Sequence, residues 1–361
     1  MSFLEDNDEY ETWLAQQCDV VKPDLKKKHK RMAENPFLFL RATYFRWARK
    51  IEELLPELAD APQVLAVGDA HLENFGTFRD AEGRLVWGIN DFDDAALMPY
   101  AFDLVRLCTS AKLSPDVAQA DEAAAAILAG YARGLEMPHP IIVDEHAPWL
   151  RPFVTPSPSK LEEFKKQIKT DPACQPPARV VEGFAKSFPA GAKVNGYAPR
   201  TKGGGSLGRP RFVALAEWQG GHIVREAKAL VSSGWDWAHK HEGTPLFLKL
   251  AQGTYRSPDP FLSVHEGFIF RRIAADSGKL DFRALIPAHL QPMLLEAMGH
   301  ELGSIHAASA VGSQIADHLK TLPADWLQDA ANKAKSFIQK DFAEWQEAHP
   351  KLVPDQEESV A

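Results

Sequence analysis

Two stretches decide how this chain reads: Gly68-Asp69-Ala70-His71-Leu72-Glu73-Asn74-Phe75-Gly76, and Ile89-Asn90-Asp91-Phe92-Asp93-Asp94 downstream of it. The apolar run Val64 to Val67 leads into the first. Arg84 to Ile89, after a turn at Asp80–Gly83, leads into the second. Each reads as a short strand that delivers carboxylates to the loop at its end. Mg²⁺ takes hard oxygen ligands, usually one or two carboxylates plus substrate phosphates. Transfer of a phosphoryl group also needs a carboxylate beside the attacking hydroxyl. Asp69, Asn74 five residues on, and Asp91 after a hairpin supply both kinds of group. The competing reading makes them turn-capping residues at strand ends, where Asp and Asn are common.

A third stretch lies far downstream. Gly203-Gly204-Gly205-Ser206-Leu207-Gly208 runs into Arg211–Ala216, and after a turn at Gly220–Gly221 comes His222-Ile223-Val224-Arg225-Glu226-Ala227-Lys228. This reads as strand, turn, strand, with glycines where backbone can lie against phosphates. A cation at the end of the second strand, Lys228 or Arg225, would reach the phosphate oxygens. The two point to opposite faces of a strand, so at most one enters the site.

The segment Gly68-Asp69-x-His71-x-x-Asn74 resembles the catalytic loop of aminoglycoside phosphotransferases and choline-kinase-like enzymes. Ile89-x-Asp91-Phe92-Asp93-Asp94, followed by Asp103-Leu104, resembles their metal-binding segment and the structural aspartate after it. The match is closer to a bacterial family known as domain of unknown function 2252, over residues 35–310. The resemblance implies an α+β, two-lobed protein-kinase-like fold with a small β-rich lobe and a larger helical lobe. It also implies ATP and Mg²⁺ as cofactors and transfer to a hydroxyl acceptor. By that resemblance Asp69 orients or deprotonates the acceptor, and Asn74, Asp91 and Asp93 hold the metal. Gly203, Gly204, Gly205, Ser206 and Gly208 cover the phosphates, and Lys228, with Arg225 as competitor, pairs with them. In an ordinary kinase the glycine loop precedes the catalytic loop. Here it follows, and Leu302-Gly303-Ser304-Ile305-His306-Ala307, which resembles the helix leading into the catalytic loop, comes near the end. A circular permutation accounts for this order: residues 1–189 form the catalytic part of the large lobe, 190–275 the small lobe, and 276–361 a helical return to the large lobe. No helix glutamate stands out as the partner of the phosphate-pairing cation; Glu226 and Glu242 are weak choices.

The rest of the chain reads as an ordinary globular protein. Its 361 residues are 45% hydrophobic and 25% charged, ample for a large core. A formal net charge of -8 argues against binding to nucleic acid or an anionic membrane. Cys18, Cys108 and Cys174 lack metal-ligand spacing and read as reduced thiols. With no apolar leader after Met1 and no run long enough to span a bilayer, the expected location is the cytoplasm.

Helices are expected over residues 8–34, Phe37 to Leu58, Tyr100 to Ala111, Asp116 to Leu135, Leu161 to Lys169, Pro287 to Ala308 and Ala324 to His349. The basic run Lys26 to Arg31 reads as a solvated helix face. Residues 138–160 and Thr170–Pro177 read as loop, 193–231 and 244–274 as strand and turn, and the acidic tail Asp355–Ala361 as frayed. His71 is either a metal ligand or a packed residue holding its loop. His306 reads as a satisfied helix histidine, Asp103 as a backbone anchor, Trp235 and Trp237 as core, and Arg271 and Arg272 as cleft cations or surface ion pairs.

The leading functional expectation is an ATP- and Mg²⁺-dependent phosphotransferase acting on a hydroxyl-bearing substrate. The short linkers, with no separate protein-docking domain, favour a small molecule. The alternatives are a nucleotide-binding regulator, an enzyme transferring the AMP part of ATP, and a metal-dependent hydrolase built on Asp69, His71, Asp91 and Asp93.

Overall fold

A computed structural model describes residues 1–168, 173–278 and 286–354. The expectations for Lys169 to Pro172 and for the tail Asp355–Ala361 lie outside the described residues. The chain is a mixed α+β structure.

It opens with four helices, α1 (Phe3–Gln17), α2 (Lys22–Met32), α3 (Pro36–Ala42) and α4 (Tyr44–Leu54). A single helix was expected over Phe37 to Leu58, and Thr43 divides it, at φ -126° and ψ 36°. In an unbroken helix the Leu40 carbonyl would accept from the Tyr44 amide. Here the buried guanidinium of Arg106 takes that carbonyl, with Nη2 2.8 Å away.

Next come β1 (Gln63–Ala66), β2 (Phe75–Arg79), β3 (Leu85–Ile89) and β4 (Ala96–Pro99). β2 was not expected. It pairs antiparallel with β3, and β1 pairs antiparallel with β4. The two carboxylate loops therefore lie at neighbouring strand ends, with Phe75 opposite Ile89.

Helix α5 (Tyr100–Leu113) is buried along its whole length. Helix α6 (Ala123–Glu136) starts later than the expected Asp116. Gln291 holds residues 116–118 out of the helix: its side chain accepts from the Ala118 amide at 2.8 Å and donates to the Asp116 carbonyl at 3.0 Å. The expected loop 138–160 instead holds β5 (Ile141–Ile142), α7 (Val143–His146), α8 (Arg151–Val154) and the start of α9 (Pro158–Gln167). Pro152 and Pro158 sit in the first turns of α8 and α9, where a missing amide costs nothing.

Helix α10 (Ala178–Ser187), also unexpected, leads into a five-stranded antiparallel sheet. Its order is β6 (Lys193–Pro199), β7 (Arg211–Trp218), β8 (Gly221–Ala229), β10 (Phe268–Arg272), β9 (Ser263–His265). Gln219 and Gly220 join β7 to β8, both at positive φ, as a two-residue hairpin turn requires. Between β8 and β9 lie α11 (Gly234–His239) and α12 (Phe247–Ala251); strand and turn were expected at α12. One face of the sheet carries Ala214, Ala227, Ala229, Phe268 and Phe270, covered by Val180 and Phe184 of α10.

The chain ends in α13 (Gln291–Ala307), α14 (Gly312–Thr321) and α15 (Trp326–Ala348). The main core runs from Phe3 to Trp345 and includes residues of α3, α4, α5, α6, α13 and α15, so the last helices pack among the first. Trp235 and Trp237 are buried in this core.

Candidate functional site

The first loop is anchored from behind. Asp103 on α5 accepts from the Val67 amide at 2.7 Å and the Gly68 amide at 2.9 Å. His306 on α13 faces the same carboxylate, with Nε2 at 3.1 Å, and its Nδ1 meets the Tyr131 hydroxyl at 3.0 Å. Asp103 is thus a backbone anchor, and His306 is a hydrogen-bonded helix residue. Gly68 lies at φ +80°, and a Cβ there would sit 2.2 Å from the Asp94 carbonyl oxygen, so only glycine lets the two loops touch.

Asn74 ties the loops together from the front. Its amide nitrogen donates to the carbonyls of Asp69 (3.1 Å) and Asp91 (3.0 Å), which leaves its side-chain oxygen available to a ligand. Asp69 accepts from Arg106 Nε at 2.7 Å. Burial raises the Asp69 carboxyl above its ordinary range, and Arg106 opposes that shift. His71 is buried beside it, with Nε2 3.8 Å from Asp69 Oδ2.

The glycine loop meets these groups. A Cβ on Gly205 would stand 2.6 Å from the Arg41 carbonyl oxygen and 3.8 Å from Asp69 Oδ2. Segments more than a hundred residues apart in sequence therefore line one small cavity of about 50 Å³. Its wall includes Asp69, Asn74, Asp91, Asp93, Gly203 to Ser206 and Arg209. The loop is held in place by α2: Val21 donates to the Gly208 carbonyl at 2.8 Å, Arg31 to the Gly203 carbonyl at 2.6 Å, and Thr201 to Asp24 at 2.8 Å.

Strand parity separates the two competing cations. Lys228 faces the carboxylates, with Nζ 3.0 Å from both oxygens of Asp91 and 2.5 Å from Asp93 Oδ2. Arg225 faces the other way. It donates to the Ser187 carbonyl and lies over the rings of Phe188 and Phe261, outside the cavity. The glutamates considered for the cation do not reach Lys228. Glu226 is ringed by Arg200, Arg211 and Arg271, which hold its carboxyl well below the usual range against the cost of burial, and Glu242 is exposed. Arg271 also donates to the Asn90 carbonyl. Arg272 pairs instead with Asp259.

Asp93 is perturbed upward as well. Burial and the neighbouring Asp91 push it up to about 6, against the pull of Lys228 and Arg209. Its Oδ1 is buried without a hydrogen-bond partner. Two carboxylates and an amide oxygen form a donor set suited to Mg²⁺. Among the described residues, no three His, Cys, Asp or Glu side chains are gathered to hold a metal on their own. Asp91 and Asp93 would need substrate oxygens to complete a coordination shell.

Sequence reasoning missed four cations of this site: Lys28, Arg41, Arg106 and Arg209. Lys28 contradicts the reading of Lys26 to Arg31 as a solvated face, because it is buried. The signal was present in the spacing: Asp24, Lys28 and Met32 recur every four residues along the buried stripe of α2. Arg106 sits three residues after Asp103 on a helix buried all round, where no pattern singles it out.

Residues 21–134 match the sequence model of a bacterial family. Its description reads "Uncharacterized protein conserved in bacteria (DUF2252)". The matched stretch contains both carboxylate loops, Asp103 and Arg106, and stops before the glycine loop. No curated protein and no solved structure matches the chain.

Proposed function

We propose that this protein is an ATP- and Mg²⁺-dependent phosphotransferase of protein-kinase-like, circularly permuted build, acting on a hydroxyl group of a small molecule. One observation carries the reading: Gly205 lies against Asp69 while Lys228, from the strand pair that follows the loop, grips Asp91 and Asp93. A glycine loop and three carboxylates thereby face one cavity, with Lys228 bound to two of the carboxylates, the assembly that phosphoryl transfer needs for positioning and charge neutralisation.

In this reading the acceptor oxygen bonds to the γ-phosphorus, and the bond from that phosphorus to the bridging oxygen breaks. ADP leaves with the electron pair, and the hydroxyl proton passes to Asp69. The raised affinity of Asp69 for a proton suits that role. Arg106, on Oδ1, fixes the carboxylate so that Oδ2 faces the glycine loop. Bound Mg²⁺ would neutralise phosphate oxygens, with Asp91, Asp93 and Asn74 as its protein ligands. Lys228 spans the same two carboxylates and serves as their counter-charge.

The test is ATP turnover with Mg²⁺ in wild type and in Asp91→Ala. We expect the variant to lose at least a hundredfold; equal turnover in both would overturn the proposal. The engagement of Lys228 by the metal ligands themselves, with no glutamate paired to it among the described residues, favours a second reading: a nucleotide-binding regulator or an AMP-transferring enzyme. Mass spectrometry of a modified acceptor separates these readings by the mass added.

A further inference from the structure

Lys28 takes no part in the chemistry above, yet it lines the same cavity. Its side chain is almost wholly buried, at 2% exposure. It lies 5.7 Å from the ring centre of Tyr10 and 5.6 Å from that of Phe45. No carboxylate lies within 4 Å of its ammonium among the described residues. The anions it feels are committed elsewhere: Glu11 to His29 at 2.6 Å, Asp94 to the Gly234 amide at 2.8 Å, and Asp69 to Arg106. Arg41 lines the same cavity, pairing with Glu73 while its buried Nε has no hydrogen-bond partner.

A buried cation without a counter-ion is costly, and proteins rarely keep one that nothing uses. The missing partner is therefore an anion supplied from outside. The glycine loop closes the cavity on one side, and Asp69 stands in its wall. A volume of about 50 Å³ has room for a compact oxyanion.

We infer that Lys28 and Arg41 form a seat for a carboxylate or phosphate group, and that the acceptor of the transfer is a small molecule bearing such a group next to its hydroxyl. The second clause rests on the phosphotransfer reading; the anion seat does not. Burial pushes the Lys28 ammonium down to about 8, so it still carries its charge at neutral pH. Arg41 contributes a planar donor set suited to either oxyanion.

The experiment is isothermal titration of the full chain, without nucleotide or Mg²⁺, with inorganic phosphate and separately with acetate at matched ionic strength. Wild type should bind at least one of them, and the better binder identifies the group. Lys28→Met should weaken that binding tenfold or more, whereas Lys30→Met, on the exposed side of α2, should leave it unchanged. Arg41→Gln is titrated alongside, so that misfolding of one variant, seen by circular dichroism, leaves the other to decide. Binding of neither anion by wild type, or equal binding by wild type and the folded variants, overturns the inference. ATP turnover is measured independently, so failure of the phosphotransfer reading would leave a positive titration standing.

Discussion

Holding Lys28 beside the stacked rings of Tyr10 and Phe45 costs the fold stability. The fall from an ordinary 10.5 to about 8 corresponds to about 3 kcal/mol against the folded state at neutral pH. The two ring contacts return about 1 kcal/mol. Lys28→Met should therefore stabilise the protein by about 2 kcal/mol at pH 7 in chemical denaturation. The pH dependence has a definite sign. Between pH 8 and 10.5 the unfolded wild type holds a proton that the folded chain does not, so wild type gains stability as pH rises through that window. The advantage of Lys28→Met should shrink over the same range. A variant no more stable than wild type at pH 7 would show that the cavity already solvates the ammonium. Lys28 also marks what sequence could not convey: its helix announces a buried stripe, but whether that stripe meets protein, water or a ligand depends on segments 180 residues away.

At the scale of elements, the glycine loop owes its place to backbone contact rather than to its own sequence. Gly205 faces the Arg41 carbonyl because α3 ends where Arg106 takes the Leu40 carbonyl. Gly205→Val would place side-chain atoms against that carbonyl, 2.6 Å from the Cβ, and should lift the loop away from Asp69. We expect ATP turnover to fall at least tenfold while the melting temperature changes by only a few degrees. Unchanged turnover would favour a hydrolase that has no use for the loop. The two carboxylate loops were legible because their chemistry is contiguous in sequence and each follows an apolar strand. β8 was legible for the same reason, and alternation along it already limited the site to one of Arg225 and Lys228. Which of the two entered depended on α10, whose Ser187 carbonyl holds Arg225 on the far face. That helix went unread between a proline-rich stretch and a glycine-rich one.

Across the whole molecule, the first and last helices are fastened by one buried charge group. Arg46 on α4 binds Asp341 on α15 at 2.8 and 3.1 Å, and Asp6 on α1 at 2.5 Å. Removing one member leaves a buried charge short of a partner, which costs about 3 kcal/mol. Asp341→Ala should destabilise by that order in urea denaturation; a loss below about 1 kcal/mol would mean that Asp6 alone satisfies Arg46. The helices near the end of the chain were readable from periodicity. The interleaving of α15 with α3, α4 and α5 was not, because amphipathic helices declare an apolar face without naming what covers it.

The clasp of Asp103 on Val67, Gly68 and His306 also sets an order of events during synthesis. A ribosome delivers Asp69, Asn74 and Asp91 early, yet the histidine that closes their support emerges some 200 residues later. Until then the apolar side of α5 has no lid from α13 or α15. The nascent polypeptide must carry its most chemically loaded loops unfinished through most of translation, a long exposure of the kind that holding chaperones exist to cover.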